Sequence, residues 1–204
     1  MINSIRSQPA PLSLAGKRTY RGSDVLKALF TNFKQKCYLT EYVYHDVELI
    51  EVDHFATQNE APHRKYEWDN LYLIHQKANQ LRPKKTPDGG YLDPCGEQDN
   101  VEKDIVYGYS FSGTPTFRPR DLTNLKAVNT ATLLMHIHQC FKQAIDLKRQ
   151  ETINTLQRWR IAKEEGNTDG EREHEELLRS LLSRNGLFCM LMRAVDNVPT
   201  KFFD

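Results

Sequence analysis

The chain has 204 residues, a formal net charge of +1 and 39% hydrophobic residues. That size allows a real core, in one domain or in a small catalytic core with a helical appendage. No apolar run approaches the roughly 20 residues of a membrane span, and MINSIRSQPAPLSLAGKR lacks the continuous apolar core of a secretory signal. Cys37, Cys95, Cys140 and Cys189 are scattered and form no CxxC pair. A reduced, cytoplasmic protein is therefore expected rather than a disulfide scaffold.

Residues 1–22 read as an extended arm interrupted by Pro9, Pro11 and Gly16. Through residue 36, Arg6, Lys17, Arg18, Arg21, Lys27, Lys34 and Lys36 face a single acid, Asp24. That balance suits phosphate contacts and equally suits a solvated flank. Ser23 and Asp24 can cap a helix over VLKALFTNFKQK, whose Val25, Leu26, Leu29, Phe30 and Phe33 share a face. Cys37 to Thr40 reads as a tight turn, and VELIEVDHF alternates like a hairpin arm ending at His54. After the polar loop ATQNEAPHRKYE, Asn70 is expected to open a helix. Its Leu71, Ile74, Ala78 and Leu81 recur at helical spacing until Pro83.

Residues 83–123 carry the prolines and glycines of an irregular linker or small hairpin. The last third reads as helical, with Leu133, Ile137, Phe141 and Ile145 continued by Ile153, Leu156 and Trp159 in one long stripe. GNTDG at 166–170 breaks it, and EREHEELLRSLLSR and LFCMLMRAV close the chain as helices. Such a stripe is a core or interface face. Its length, more than a small core needs, points to docking on a partner.

The polar residues between 52 and 82 carry the chemistry. Asp53 and His54 end the hairpin arm, and Asn79 lies on the facing helix. A carboxylate and an amide oxygen can share one hard divalent cation with water and phosphate oxygens, which suits Mg²⁺. Neutral His54 could take a proton from an attacking water, and Asn70 could tie down the loop carrying it through bonds to backbone. Arg64, Lys65, Arg82, Lys84 and Lys85 flank this set and are candidates for phosphate contacts. Tyr66 and Trp68 could stack on a base, with Trp68 the better candidate for a packing anchor of the loop.

Asp53-His54, Asn70-Leu71 and Asn79 resemble the HNH, or ββα-metal, nuclease superfamily in its H-N-N variant. That resemblance implies His54 as general base, Asp53 and Asn79 as ligands of Mg²⁺ or Mn²⁺, and Asn70 as the loop-positioning residue. Lys36-Cys37-Tyr38-Leu39-Thr40-Glu41, Trp68-Asp69-Asn70-Leu71 and Leu92-Asp93-Pro94 are similar to a bacterial branch that includes the HNH component of Septu-type anti-phage systems, some attached to retrons. The implied fold is α+β: a basic arm and helix over 1–36, a small HNH core over 37–95, and a linker with a helical region over 96–204. The implied activity is a metal-dependent endonuclease, on DNA or alternatively on structured RNA such as tRNA, whose helical region docks on an ATPase partner. A reading of another class is an inactive HNH-like interaction protein. Many members pin hairpin to helix with zinc on two CxxC pairs, which correspond here to Cys37, Thr40, His75 and Ala78. Only two of these could ligate zinc and a structural site wants four donors, so no structural zinc is expected.

Overall fold

A computed structural model describes residues 1–47 and 50–204. Glu48 and Leu49, part of the expected hairpin arm, lie outside the described residues. The fold is α+β, with helices and two small two-stranded sheets. The chain divides into two compact units, one of Met1–Val106 with Phe117–Ile137, the other of Tyr107–Thr116 with His138–Asp204. The breaks expected after residues 36 and 95 are not boundaries between these units.

In the first unit α1 (Ser23–Asn32) buries Val25 and Leu29, and Phe33 just beyond its end is buried with them. The expected cap at Ser23 is not used. Gly22 is the N-cap, without a side-chain bond. Asp24 instead accepts from the amide and hydroxyl of Ser13, at 2.9 and 2.6 Å, and so fastens the arm to the helix. The turn after it places Tyr38, whose amide donates to the Leu73 carbonyl. Its exit residue Glu41 has φ +60° and forms a buried pair with the Met1 amine at 2.8 Å.

Strand β1 (Glu51–His54) pairs antiparallel with β2 (Leu71–Ile74), His54 opposite Leu71 and Asp53 opposite Tyr72. Helix α2 (Gln76–Leu81) follows immediately. The helix expected from Asn70 onward is therefore wrong over its first turn. All four residues of β2 are buried, and a short apolar run buried on both faces cannot be told from a helix segment by periodicity. His75, not Asn70, caps α2, its Nδ1 accepting from the Lys77 amide at 3.1 Å. Arg6 of the arm stacks 4.3 Å from the Tyr72 ring centroid and donates to the carbonyls of Trp68 and Leu71. The Trp68 indole donates to Ser7. Trp68 is thus a buried packing anchor, and Arg6 is held inside the fold instead of facing a phosphate.

A short helix α3 (Val101–Asp104) leads into β3 (Ile105–Tyr109), which pairs with β4 (Pro115–Pro119). The first unit closes with most of α4 (Leu125–His138), whose Thr130 hydroxyl accepts from the Leu92 amide.

The second unit packs α5 (Lys142–Glu164) on α6 (Thr168–Leu182), with α7 (Cys189–Arg193) against both. Gly166 at φ +70° ends α5, a conformation that suits glycine, and Asn167 caps α6 by accepting from the Gly170 amide. Ile145, Leu156 and Trp159 of α5 and Leu178, Leu181 and Leu182 of α6 are buried. The stripe read as one continuous docking face is in fact divided. A 3-10 turn at Gln139–Phe141 separates α4 from α5; Leu133 and Ile137 are buried in the first unit, and Phe141, Ile145, Leu156 and Trp159 in the second, with Ile153 half-buried.

A candidate metal-dependent active site at the edge of β1

Strand β1 is paired on one side only among the described residues. Beside it lies a cleft of about 250 Å³ lined by Asp53, His54 and Asn79, with Tyr20, Gln58, Asn59, Arg82 and Lys84 around them. The ββα arrangement creates this juxtaposition: β1 ends in the Asp-His pair, and α2, folded back against β1, carries Asn79. Three of the four site residues expected from sequence thus share one cleft, and the fourth, Asn70, stands behind it.

Asn70 is 1% exposed. Its Oδ1 accepts from the Ala56 amide at 2.7 Å, and its Nδ2 donates to the carbonyls of Ala56 and Arg64 at 3.1 and 3.2 Å. One carboxamide thereby closes both ends of the loop between β1 and β2, using its donors and acceptor together.

His54 is buried, with the Tyr20 ring edge-on at 4.6 Å. Its Nε2 lies 3.0 Å from the Lys65 carbonyl and its Nδ1 lies 3.2 Å from the Gln58 amide nitrogen. A carbonyl can only accept, so Nε2 carries the hydrogen and Nδ1 the lone pair. Burial holds the imidazole pKa below its usual value, while the Lys65 carbonyl and the Asp53 charge pull upward. The ring is therefore neutral near pH 7, with its acceptor nitrogen towards Gln58.

Asp53 is buried with both oxygens engaged, Oδ2 by the Tyr38 hydroxyl at 2.7 Å and Oδ1 by Arg82 at 3.2 Å. Burial pushes its carboxyl above the ordinary value, against Arg82 and Tyr38, which favour the charged form. Arg82 also donates to the carbonyls of His54 and Phe55, at 3.1 and 2.6 Å. It is 5% exposed, so the phosphate contact expected of it is replaced by a structural role: the guanidinium clamps the end of β1. Arg64 is paired with Glu67 and Asp69, and Lys65 lies over the rings of Tyr20 and Tyr66. Lys84 and Lys85 are exposed, and Lys84 borders the cleft.

The donor set suits a hard, hydrated cation. Each carboxylate oxygen of Asp53 has a second lone pair beyond the one its hydrogen bond uses. The Asn79 nitrogen is held by Glu51 at 2.8 Å, which leaves the amide oxygen as the atom that could meet a cation. Two protein oxygens and room for several waters match Mg²⁺ or Mn²⁺. Among the described residues no group of three or more His, Cys, Asp or Glu side chains is placed to hold a metal. At the corner of Cys37, Thr40, His75 and Ala78, the Thr40 amide lies 3.5 Å from the Cys37 sulfur. The rings of Tyr42 and Tyr44 lie 4.9 and 5.8 Å from that of His75.

Tyr20, Tyr38, Glu51 and Gln58 were not anticipated from sequence. Glu51 had a readable signal, since it shares a strand face with Asp53. Tyr38 had none, because its bond to Asp53 is long-range. The chain matches no family model, no curated protein and no solved structure.

Proposed function

We propose that the chain is a metal-dependent endonuclease of the HNH kind that hydrolyses phosphodiester bonds in nucleic acid, with DNA the leading substrate. The observation that carries the reading is His54: a neutral imidazole, its tautomer fixed by the Lys65 carbonyl, in one cleft with the oxygen donors Asp53 and Asn79. Nδ1 takes a proton from water, the hydroxide oxygen attacks phosphorus, and the bond from phosphorus to the leaving oxygen breaks. A divalent cation bound at Asp53 and Asn79 would neutralise charge on the phosphate and the leaving oxygen. The chain's own residues supply placement. Asn70 and Arg82 fix the segment bearing His54, and Gln58 lies against Nδ1, the position the attacking water would take. Lys84, at the border of the cleft, and its neighbour Lys85 are exposed cations that would meet substrate phosphates.

The test is His54→Ala in the full chain, assayed on DNA and structured RNA with Mg²⁺ or Mn²⁺. Cleavage should fall by about 10²–10⁴-fold while Mn²⁺ binding and circular dichroism stay as in wild type. Undiminished cleavage would remove His54 as the base. Sequencing of the ends generated in cells decides between DNA and RNA.

The resemblance to Septu-type components supports a role as the cytoplasmic effector of an ATPase-partnered anti-phage system. Because the long stripe is internal, docking would fall to exposed apolar residues such as Leu147, Ile161 and Leu177. Co-expression with the ATPase followed by size exclusion tests this, and a Leu147→Asp variant should then elute apart from it.

A further inference from the structure

We infer that Glu51 is a positioning residue that decides which end of the Asn79 carboxamide faces the cleft; this rests on the metal-dependent reading above. Glu51 Oε2 accepts from Asn79 Nδ2 at 2.8 Å. A carboxyl oxygen that accepts from the NH₂ group turns that end of the amide towards Glu51 and the amide oxygen away. The two ends of the amide are opposite in function. The oxygen is a ligand for a hard cation, whereas the NH₂ group repels one.

The placement of Glu51 strengthens the case. Glu51 and Asp53 are alternate residues of β1 and share a face, so one strand carries a ligand and the lock for the second ligand. Among the described residues Glu51 makes no ion pair, and its hydrogen bond to Asn79 is the one its side chain has. Asn79 itself is fixed in height, since its backbone amide donates to the His75 carbonyl. What the backbone leaves undetermined is the rotation of the carboxamide, and Glu51 determines it. Outer partners that orient a ligand in this way contribute roughly 10–100-fold to metal affinity.

The experiment titrates Mn²⁺ into the full chain by water-proton relaxation, comparing wild type, Glu51→Gln, Asn79→Ala and the double variant, with thermal melts to verify folding. A glutamine at 51 can meet either end of the Asn79 amide, so the lock is lost with little change in volume. Glu51→Gln should weaken Mn²⁺ about 10-fold or more in the wild-type background and cause no further loss once Asn79 is alanine. Unchanged affinity in Glu51→Gln overturns the proposal. So does a loss that persists in the Asn79→Ala background, which would make Glu51 a ligand or a distant charge in its own right. If Asn79→Ala binds Mn²⁺ like wild type, it is the metal-site reading that fails, and the assignment of Glu51 falls with it. Should Glu51→Gln not fold, Glu51→Asp keeps the charge but shortens the reach by one methylene, and the same loss is expected of it.

Discussion

Both units bury an apolar core, but they differ in the polar groups they enclose beside it. The helical unit encloses Ile145, Leu156, Trp159, Leu178 and Leu182, and its buried Thr152 and Thr155 hydroxyls donate to carbonyls one turn back in their own helix. The cleft-bearing unit encloses Lys36, Glu41, Asp53, His54, Asn70 and Arg82, satisfied mainly by partners distant in sequence. An apolar core loses stability gradually as atoms are removed. A buried polar network fails abruptly when one member leaves its partners unpaired. The unit that bears the cleft is thus the more brittle of the two where its polar network is cut.

Arg82→Met is the severest test of that contrast. It strands the buried Asp53 carboxylate and frees two carbonyls, and denaturant unfolding should show a loss of about 3–5 kcal/mol. A loss confined to nucleic-acid affinity, with unfolding unchanged, would return Arg82 to the phosphate-binding role. Leu182→Ala in the helical unit comes next, at about 3 kcal/mol for an enclosed leucine. Hydrogen exchange should place the loosened amides in α5 and α6 and leave those of β1 and β2 as they were. Asn70→Ala should cost about 2 kcal/mol by releasing three backbone groups, seen as faster exchange of the Ala56 amide, and cleavage should fall with it.

The smallest effect is one of pH. His54 and His75 both have pKa values held below the usual 6.5, chiefly by burial. Below 6.5 the unfolded chain takes up protons that the folded chain refuses, so stability is full above that pH. It declines as pH falls towards the depressed values. Melting temperatures across this range should fall less in His75→Gln than in wild type.

The same contrast explains what could be read from sequence. Helices α5 and α6 declare themselves by spacing and by the Gly166-Asn167 break, because their contacts repeat locally. Asp53, His54, Asn70 and Asn79 are legible as residue types at characteristic intervals. Strand β2 is not, since Leu71-Tyr72-Leu73-Ile74 is apolar on both faces and offers no period. The clamp is also hidden. Tyr38 and Arg82 reach Asp53 across 15 and 29 residues, and no local pattern encodes such pairs. The division of the long stripe at Gln139–Phe141 has no glycine or proline to announce it, and we have no physical account of it.

The Arg6 anchorage has a consequence for the order of folding. Arg6 meets Leu71 across 65 residues, and Trp68 reaches back 61 to Ser7. Closing loops of that length costs chain entropy before any contact repays it, whereas α5 and α6 are joined by a short turn. We expect the helical pair to form first and the arm to close over the Tyr72 ring late, completing the cleft only then. Pulse-labelled hydrogen exchange during refolding should show α5 and α6 amides protected ahead of those in β1 and β2; simultaneous protection would refute that order. A refolding chain would then hold Asp53, His54 and Asn79 short of their final cleft until the helical pair is already built.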